Sequence, residues 1–169
     1  MSIELDGLSI EYTIHTNKCL ITLRHSTIVQ ISAGQEKYSM KFSISVLIPC
    51  YNVEKYLAKS ISSVLCQKDS RCDLKIIVFD NQSSDSTFEI AQQFQAENPN
   101  QVQVFQNSEN RGPAFSINRC WEKSVSEFNI LLHSDNELID GALSLFIDYI
   151  ESGNYKRGII FGDIEYIDL

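Results

Sequence analysis

Asn129-Ile130-Leu131-Leu132-His133-Ser134-Asp135-Asn136-Glu137 is a short apolar run that ends abruptly in polar and acidic residues. A run of this length, ahead of a helix-like segment, suits a strand in a sheet covered on both faces. Its polar tail then lies at the strand's carboxyl end, where open α/β sheets bind their ligands.

Working outward, strand and helix signals alternate. Ile44 to Ile48 reads as a strand stopped by Pro49, whose missing N–H cannot continue a central ladder. Asn52 is placed to cap the next helix, in which Val53, Tyr56, Leu57, Ile61, Val64 and Leu65 share a face. Leu74 to Phe79 is a second strand, and Ser86-Thr87-Phe88-Glu89 has capping-box spacing for a helix to about Ala96, ended by Asn98-Pro99-Asn100. Val102 to Phe105 is a third strand. Asn110-Arg111-Gly112-Pro113 then turns into a helix with Ala114, Ile117, Trp121 and Val125 on one face and Pro113 in its first turn. After the strand at 129–132, Leu143, Phe146, Ile147 and Ile150 align on a helix from about Asp140, stopped by Gly153-Asn154. Gly158 to Phe161 reads as a fifth strand. This alternation predicts an α/β, Rossmann-like, mostly parallel sheet flanked by helices, with right-handed crossovers.

Residues 1–42 read as a separate β-rich extension. Alternation over Leu8 to Ile14, a polar His15-Thr16-Asn17-Lys18 turn and the run Cys19 to Leu23 predict a hairpin. Thr27 to Ile31 is a candidate third strand, and Gly34-Gln35-Glu36-Lys37 a linker. No chemistry can be assigned to this extension.

Composition sets further bounds. With 43% hydrophobic and 21% charged residues among 169, the chain has the make-up of one folded domain with a core. A formal net charge of -8 gives no basic footprint for nucleic acid. Cys19, Cys50, Cys66, Cys72 and Cys120 are odd in number and form no CxxC pair, which predicts free thiols rather than a disulfide framework or zinc site. No apolar run reaches the ~20 residues of a membrane span, and Glu4 and Asp6 sit where a signal peptide is basic and apolar. These features together predict a cytoplasmic chain without a transmembrane segment.

Three of the strands end in residues that suit a nucleotide site. The first gives Pro49-Cys50-Tyr51-Asn52 with Glu54 beyond, the second Asp80-Asn81-Gln82-Ser83-Ser84-Asp85, the fourth His133-Ser134-Asp135-Asn136. Each has an ordinary structural role open to it: a helix cap for Asn52, turn and helix-terminus charges for Asp80 and Asp85, a loop carboxylate for Asp135 and a hydrogen-bonded imidazole for His133. In a parallel sheet all three ends fall on one edge, and that coincidence points to a shared ligand.

Ser45-Val46-Leu47-Ile48-Pro49-Cys50-Tyr51-Asn52-Val53-Glu54-Lys55-Tyr56-Leu57 closely resembles the opening of family 2 glycosyltransferases, which have the GT-A fold and usually read V-S-V-I-I-P-x-Y-N-x-E-x-x-L there. Ile76 to Thr87 is similar to that family's V-V-D-D-G-S-T-D-x-T. Asn110-Arg111-Gly112 followed by Asn118 resembles its N-x-G-x-x-x-A-R-N, and Leu131-Leu132-His133-Ser134-Asp135-Asn136 its L-D-S-D-D. The likeness runs in order from residue 43 to 169 and leaves out the first 42.

The resemblance implies a GT-A-like domain that transfers a sugar from a nucleotide diphosphate donor, UDP-type, to an acceptor hydroxyl of a glycan or glycoconjugate. By matching position, Pro49, Tyr51, Asn52 and Glu54 would line the nucleoside pocket, and Asp80 with Asn81 would face the base. His133, Ser134 and Asp135 fall on the DxD signature, with Asp135 at the aspartate that holds Mg²⁺ or Mn²⁺; a hard cation prefers such oxygen ligands. The sequence departs from the family at Asn81 and Asn136, which stand for acids, at His133, which stands for the first aspartate of DxD, and at Ile117, which stands for an arginine. No residue matches the family's acceptor-activating carboxylate, so the catalytic base is unassigned and the chain reads as truncated at its carboxyl end. Asp163 and Glu165 read as solvated strand-end carboxylates. Two other readings remain: a degenerate module that binds a nucleotide sugar without turnover, and a dinucleotide-binding oxidoreductase, which a missing G-x-G-x-x-G turn disfavours.

Overall fold

The structure is a computed structural model and describes residues 2–5, 8–11 and 41–153. Strands β1 (Ser2–Leu5) and β2 (Leu8–Glu11) pair antiparallel, with Ile3 opposite Ile10. The strand expected at Leu8 therefore exists, but its described partner is Ser2–Leu5. The pair is separated in sequence by Asp6-Gly7, a dipeptide that favours two-residue hairpins. The expected strands at 19–23, 27–31 and 158–161, the linker at 34–37, and Asp163 and Glu165 lie outside the described residues.

From Phe42 the chain alternates as β3 (Phe42–Cys50), α1 (Leu57–Leu65), β4 (Cys72–Asp80), α2 (Thr87–Glu97), β5 (Val102–Gln106), α3 (Pro113–Lys123), β6 (Phe128–Leu131) and α4 (Ala142–Glu151). The four strands form one parallel sheet in the order β5-β4-β3-β6. This is the open α/β architecture that the alternation predicts.

Strand side chains alternate between faces, and the core divides accordingly. Ile44, Val46, Ile48, Ile76 and Val78 pack with Leu57, Ile61 and Val64 of α1, Ala91 of α2, and Leu143, Ile147 and Ile150 of α4. Leu47, Ile77 and Phe79 face the other way, onto Cys120 and Trp121 of α3. Each fully buried aliphatic side chain contributes about 1.5–3 kcal/mol, so β3 and β4, apolar on both faces, anchor the sheet.

Pro49 does not end β3. The strand runs on to Cys50, with Pro49 opposite Phe79. Leu47 accepts the Leu132 N–H on the β6 side, whereas Cys50 accepts the Asn81 N–H on the β4 side. By alternation Pro49 turns its nitrogen toward β6, whose ladder with β3 has already ended at Leu131. No hydrogen bond is lost, which is how proline is tolerated here.

The expected face of α3 holds only in part: Trp121 packs on the sheet and Ile117 is half-buried. Ser116 and Cys120 are the buried residues, whereas Ala114 is exposed and Val125, beyond the helix, is 86% exposed. Small side chains let α3 approach the sheet closely, and Ser116 accepts a hydrogen bond from Asn107 Nδ2 at 3.1 Å. On α1 the apolar face holds except at Tyr56, which is 44% exposed. No helix among the described residues is long and apolar enough to cross a membrane.

At the amino edge, Arg71 ties the loop before β4 to the end of α4, pairing with Asp69 at 2.7 Å, Asp148 at 2.6 Å and Glu151 at 2.8 Å. Hydrogen bonds from Arg71 hold the Asp69 carboxyl well below the usual carboxylate range. A depressed carboxylate stabilises the fold above its unfolded value, and that stability is lost as pH falls toward its folded value. Arg71→Met is therefore expected to lower the thermal midpoint at pH 7. The gap to wild type should close as pH falls below the ordinary aspartate value of about 3.9. A gap that does not change with pH contradicts this role.

Candidate functional site

Register sets the geometry. Leu47 of β3 is level with Ile77 on one side and Leu131 on the other, and three residues on Cys50 is level with Asp80. The tails that follow β4, β3 and β6 therefore leave one edge of three adjacent strands. At ~4.8 Å between neighbours, they span roughly 10 Å. The chain turns to one side of β3 for β4 and β5 and to the other for β6, so this edge holds the topological switch point.

The first two tails are laced together. Asn52, at φ 51°, does not cap α1, which starts at Leu57 with no side-chain cap. Its backbone N–H donates to Ser83 Oγ at 2.9 Å, and its Oδ1 accepts the Ser84 N–H at 2.9 Å. The Val53 N–H donates to Thr87 Oγ1 at 2.8 Å and the Glu54 N–H to Asp85 Oδ2 at 3.2 Å. The expected capping box is absent as well: Glu54, not Glu89, accepts the Ser86 N–H, at 3.0 Å, and Asp85 accepts the Thr87 N–H at 3.0 Å. Burial would raise the Asp85 carboxyl, but hydrogen bonds from Thr87 and the Glu54 backbone hold it low. A cap arriving from another loop makes the start of α2 depend on the end of β3.

Asp80 and Asn81 lie beneath this lacework. Asp80 is 0% exposed and accepts from the Ser83 N–H at 3.0 Å, Ser83 Oγ at 2.5 Å and Gln106 Nε2 at 2.9 Å. The Cys50 thiol also points to Asp80, at 3.9 Å. Burial, then the charge on Asp80, pushes that thiol well above its ordinary value, so it stays protonated. Asn81 is 3% exposed; its Oδ1 accepts from Asn107 Nδ2 at 2.8 Å and the Arg111 N–H at 3.2 Å, while its Nδ2 donates to Asn110 Oδ1 at 2.7 Å. Gln106 and Asn107 carry no expectation from the sequence, although a polar pair at the end of β5 is the available signal, and Asn110 is read there only as part of a turn and a motif.

On the surface of the same edge, Pro49 is half-buried and Tyr51 is 45% exposed. His133 and Asp135 are exposed and Ser134 is buried, in a turn closed by the Asn136 N–H on His133 O at 2.9 Å. Among the described residues no three His, Cys, Asp or Glu side chains gather into a ready metal site. A single exposed carboxylate such as Asp135 could serve a cation that takes one or two carboxylates and completes its shell with phosphate oxygens and water. A depression of about 400 Å³, lined by Gln67, Asp69, Cys72 and Gln101 among others, opens at the opposite, amino edge. Cys50, Cys66, Cys72 and Cys120 are free thiols, and Cys19 lies outside the described residues.

Known proteins share the sequence pattern and the fold of this chain. Residues 45–165 match the profile of the family described as glycosyl transferase family 2. The chain is 33% identical over 111 residues to the GalNAc(5)-diNAcBac-PP-undecaprenol beta-1,3-glucosyltransferase of Campylobacter jejuni, covering 65% of this chain and 35% of that protein. It superposes on Staphylococcus aureus TarS 1-349 in complex with UDP-GlcNAc at a TM-score of 0.60 and 26% identity, over 65% of this chain and 31% of the other. The fold is shared with a mannosyltransferase of Pyrobaculum calidifontis in complex with GDP-Man and Mn²⁺, at TM-score 0.59 and 18% identity over 65% of this chain and 32% of that one. The chain thus spans about a third of the curated relative it matches here.

Asp80→Ala removes a fully buried acceptor from the half-buried Ser83 N–H and hydroxyl and from the exposed Gln106 amide. It is expected to cost about 3 kcal/mol in chemical denaturation. A change below ~0.5 kcal/mol, the range of ordinary surface substitutions, contradicts the structural weight placed on this carboxylate.

Proposed function

The chain belongs to glycosyl transferase family 2, and from that premise we propose that it carries the donor-binding part of an enzyme that transfers a sugar from a nucleotide diphosphate, UDP-type, to a hydroxyl of a glycan or glycoconjugate. The observation that carries this reading is the register that brings the tails of β3, β4 and β6 to one edge. There Tyr51, beside Pro49, offers an aromatic face to the base, with Asn52 and Glu54 along the nucleoside. Asp80 and Asn81 support the base side from beneath. His133, Ser134 and Asp135 meet the diphosphate, and Asp135 holds Mg²⁺ or Mn²⁺. Bound there, the cation would neutralise the diphosphate and improve it as a leaving group. The unbridged thiols support a cytoplasmic setting.

Isothermal titration tests the proposal. UDP is expected to bind saturably when Mn²⁺ is present and at least tenfold more weakly without it or in Asp135→Ala. Mn²⁺ alone should bind weakly, because a single carboxylate supplies too few ligands. UDP binding indifferent to both changes contradicts the reading. Donor turnover with acceptor extract separates an enzyme from a module that only binds.

A further inference from the structure

An anionic donor approaching a chain of formal net charge -8 needs positive charge placed locally. The described loops at the carboxyl edge carry Glu54, Asp85, Glu109, Asp135, Glu137 and Asp140, against which stand Lys55 and Arg111. Lys55 is a point charge on a flexible stem. Arg111 differs because the fold holds it at both ends.

At its backbone, the Arg111 N–H donates to Asn81 Oδ1 at 3.2 Å, and the Asn81 N–H donates to Cys50 O at 2.9 Å. Arg111 thus sits one side chain away from the residue that precedes Tyr51. At its tip, the guanidinium lies over the Phe115 ring, 4.3 Å from the centroid. Its ion pair with Glu109 runs through Nε and is long, 3.7 Å, with 56% of the side chain exposed. The fork of terminal nitrogens is therefore pre-oriented and open, and such a fork matches phosphate oxygens two at a time.

The amide at Asn81 builds this arrangement. Its oxygen takes two N–H groups, while its Nδ2 donates to Asn110 Oδ1, which also accepts the Gly112 N–H at 2.9 Å. A carboxylate at position 81 has no hydrogen to give and would set oxygen against the Asn110 oxygen. The turn at Gly112, φ 83°, would lose its lock.

We propose that Asn81 is a positioning residue that holds the loop Asn107 to Gly112 so that the Arg111 guanidinium receives the diphosphate of the donor. This rests on the donor-site reading above. The test titrates wild type, Arg111→Ala, Arg111→Lys and Asn81→Asp with UDP and with uridine, both in Mn²⁺. Loss of a charge-assisted contact weakens UDP binding about tenfold in Arg111→Ala, while uridine, which lacks phosphate, binds as before. Arg111→Lys restores part of the loss. Asn81→Asp, if its thermal midpoint stays near wild type, lowers the UDP-to-uridine affinity ratio in the same direction; if it unfolds, Asn110→Ala, which removes the acceptor shared by Asn81 and Gly112, must lower that ratio instead, and an unchanged ratio overturns the positioning role. Unchanged UDP affinity in Arg111→Ala, or equal loss for UDP and uridine, overturns the inference and leaves the donor site standing. Failure of wild type to bind UDP overturns both.

Discussion

The parallel pairing of β3 with β4 on one side and β6 on the other is the constraint from which the rest follows. Side chains alternate with a period of two, so a slip of one residue would turn Val46 and Ile48 away from α1 and drive Leu47 into the wrong layer. The helices on the two faces forbid that slip. With register held, the heights of Cys50, Asp80 and the tail after Leu131 are no longer adjustable. The loops at this edge are thus positioned by core packing, through apolar residues buried beneath them.

Above the core, polar groups continue the same work. Asp80 is fully buried, and its acceptors are taken up by Ser83 and Gln106, while Asn81 gathers Asn107, Asn110 and Arg111. Two residues other than glycine, Asn52 and Gln82, adopt positive φ in the facing loops. Such backbone costs of order 1–3 kcal/mol and persists where neighbours over-determine it. Here the Ser83 and Ser84 contacts to Asn52 do so. On the proposed reading, this hydrogen-bonded base beneath Tyr51 and Arg111 would lower the ordering cost of binding the donor.

The sheet was legible in the sequence because its signal is local. Apolar runs of strand length alternate with helical periodicity, and each described strand of the main sheet falls within two residues of its expected bounds at either end. What escaped is decided by partners distant in sequence. Asn52 has the right chemistry for a cap but finds Ser83 and Ser84, about thirty residues on, and Glu54 displaces Glu89 from Ser86 for the same reason. Pro49 reads as a breaker until the missing ladder on its β6 side is known. The buried face of α3 follows the small Ser116 and Cys120, which hydrophobic periodicity overlooks. At the site, the three acidic and polar tails were visible as motifs, whereas the supporting roles of Gln106, Asn107 and Asn110 need the fold before they can be seen.

The most direct measurement of the central claim is a map of backbone amide chemical shifts as UDP and Mn²⁺ are added to the labelled protein. The account expects the changes to cluster at residues 50–54, 81–84, 107–112 and 132–136, the loops that follow β3, β4, β5 and β6 on one edge. Changes centred instead on residues 67–74 at the amino edge, or spread without regard to either edge, would contradict it.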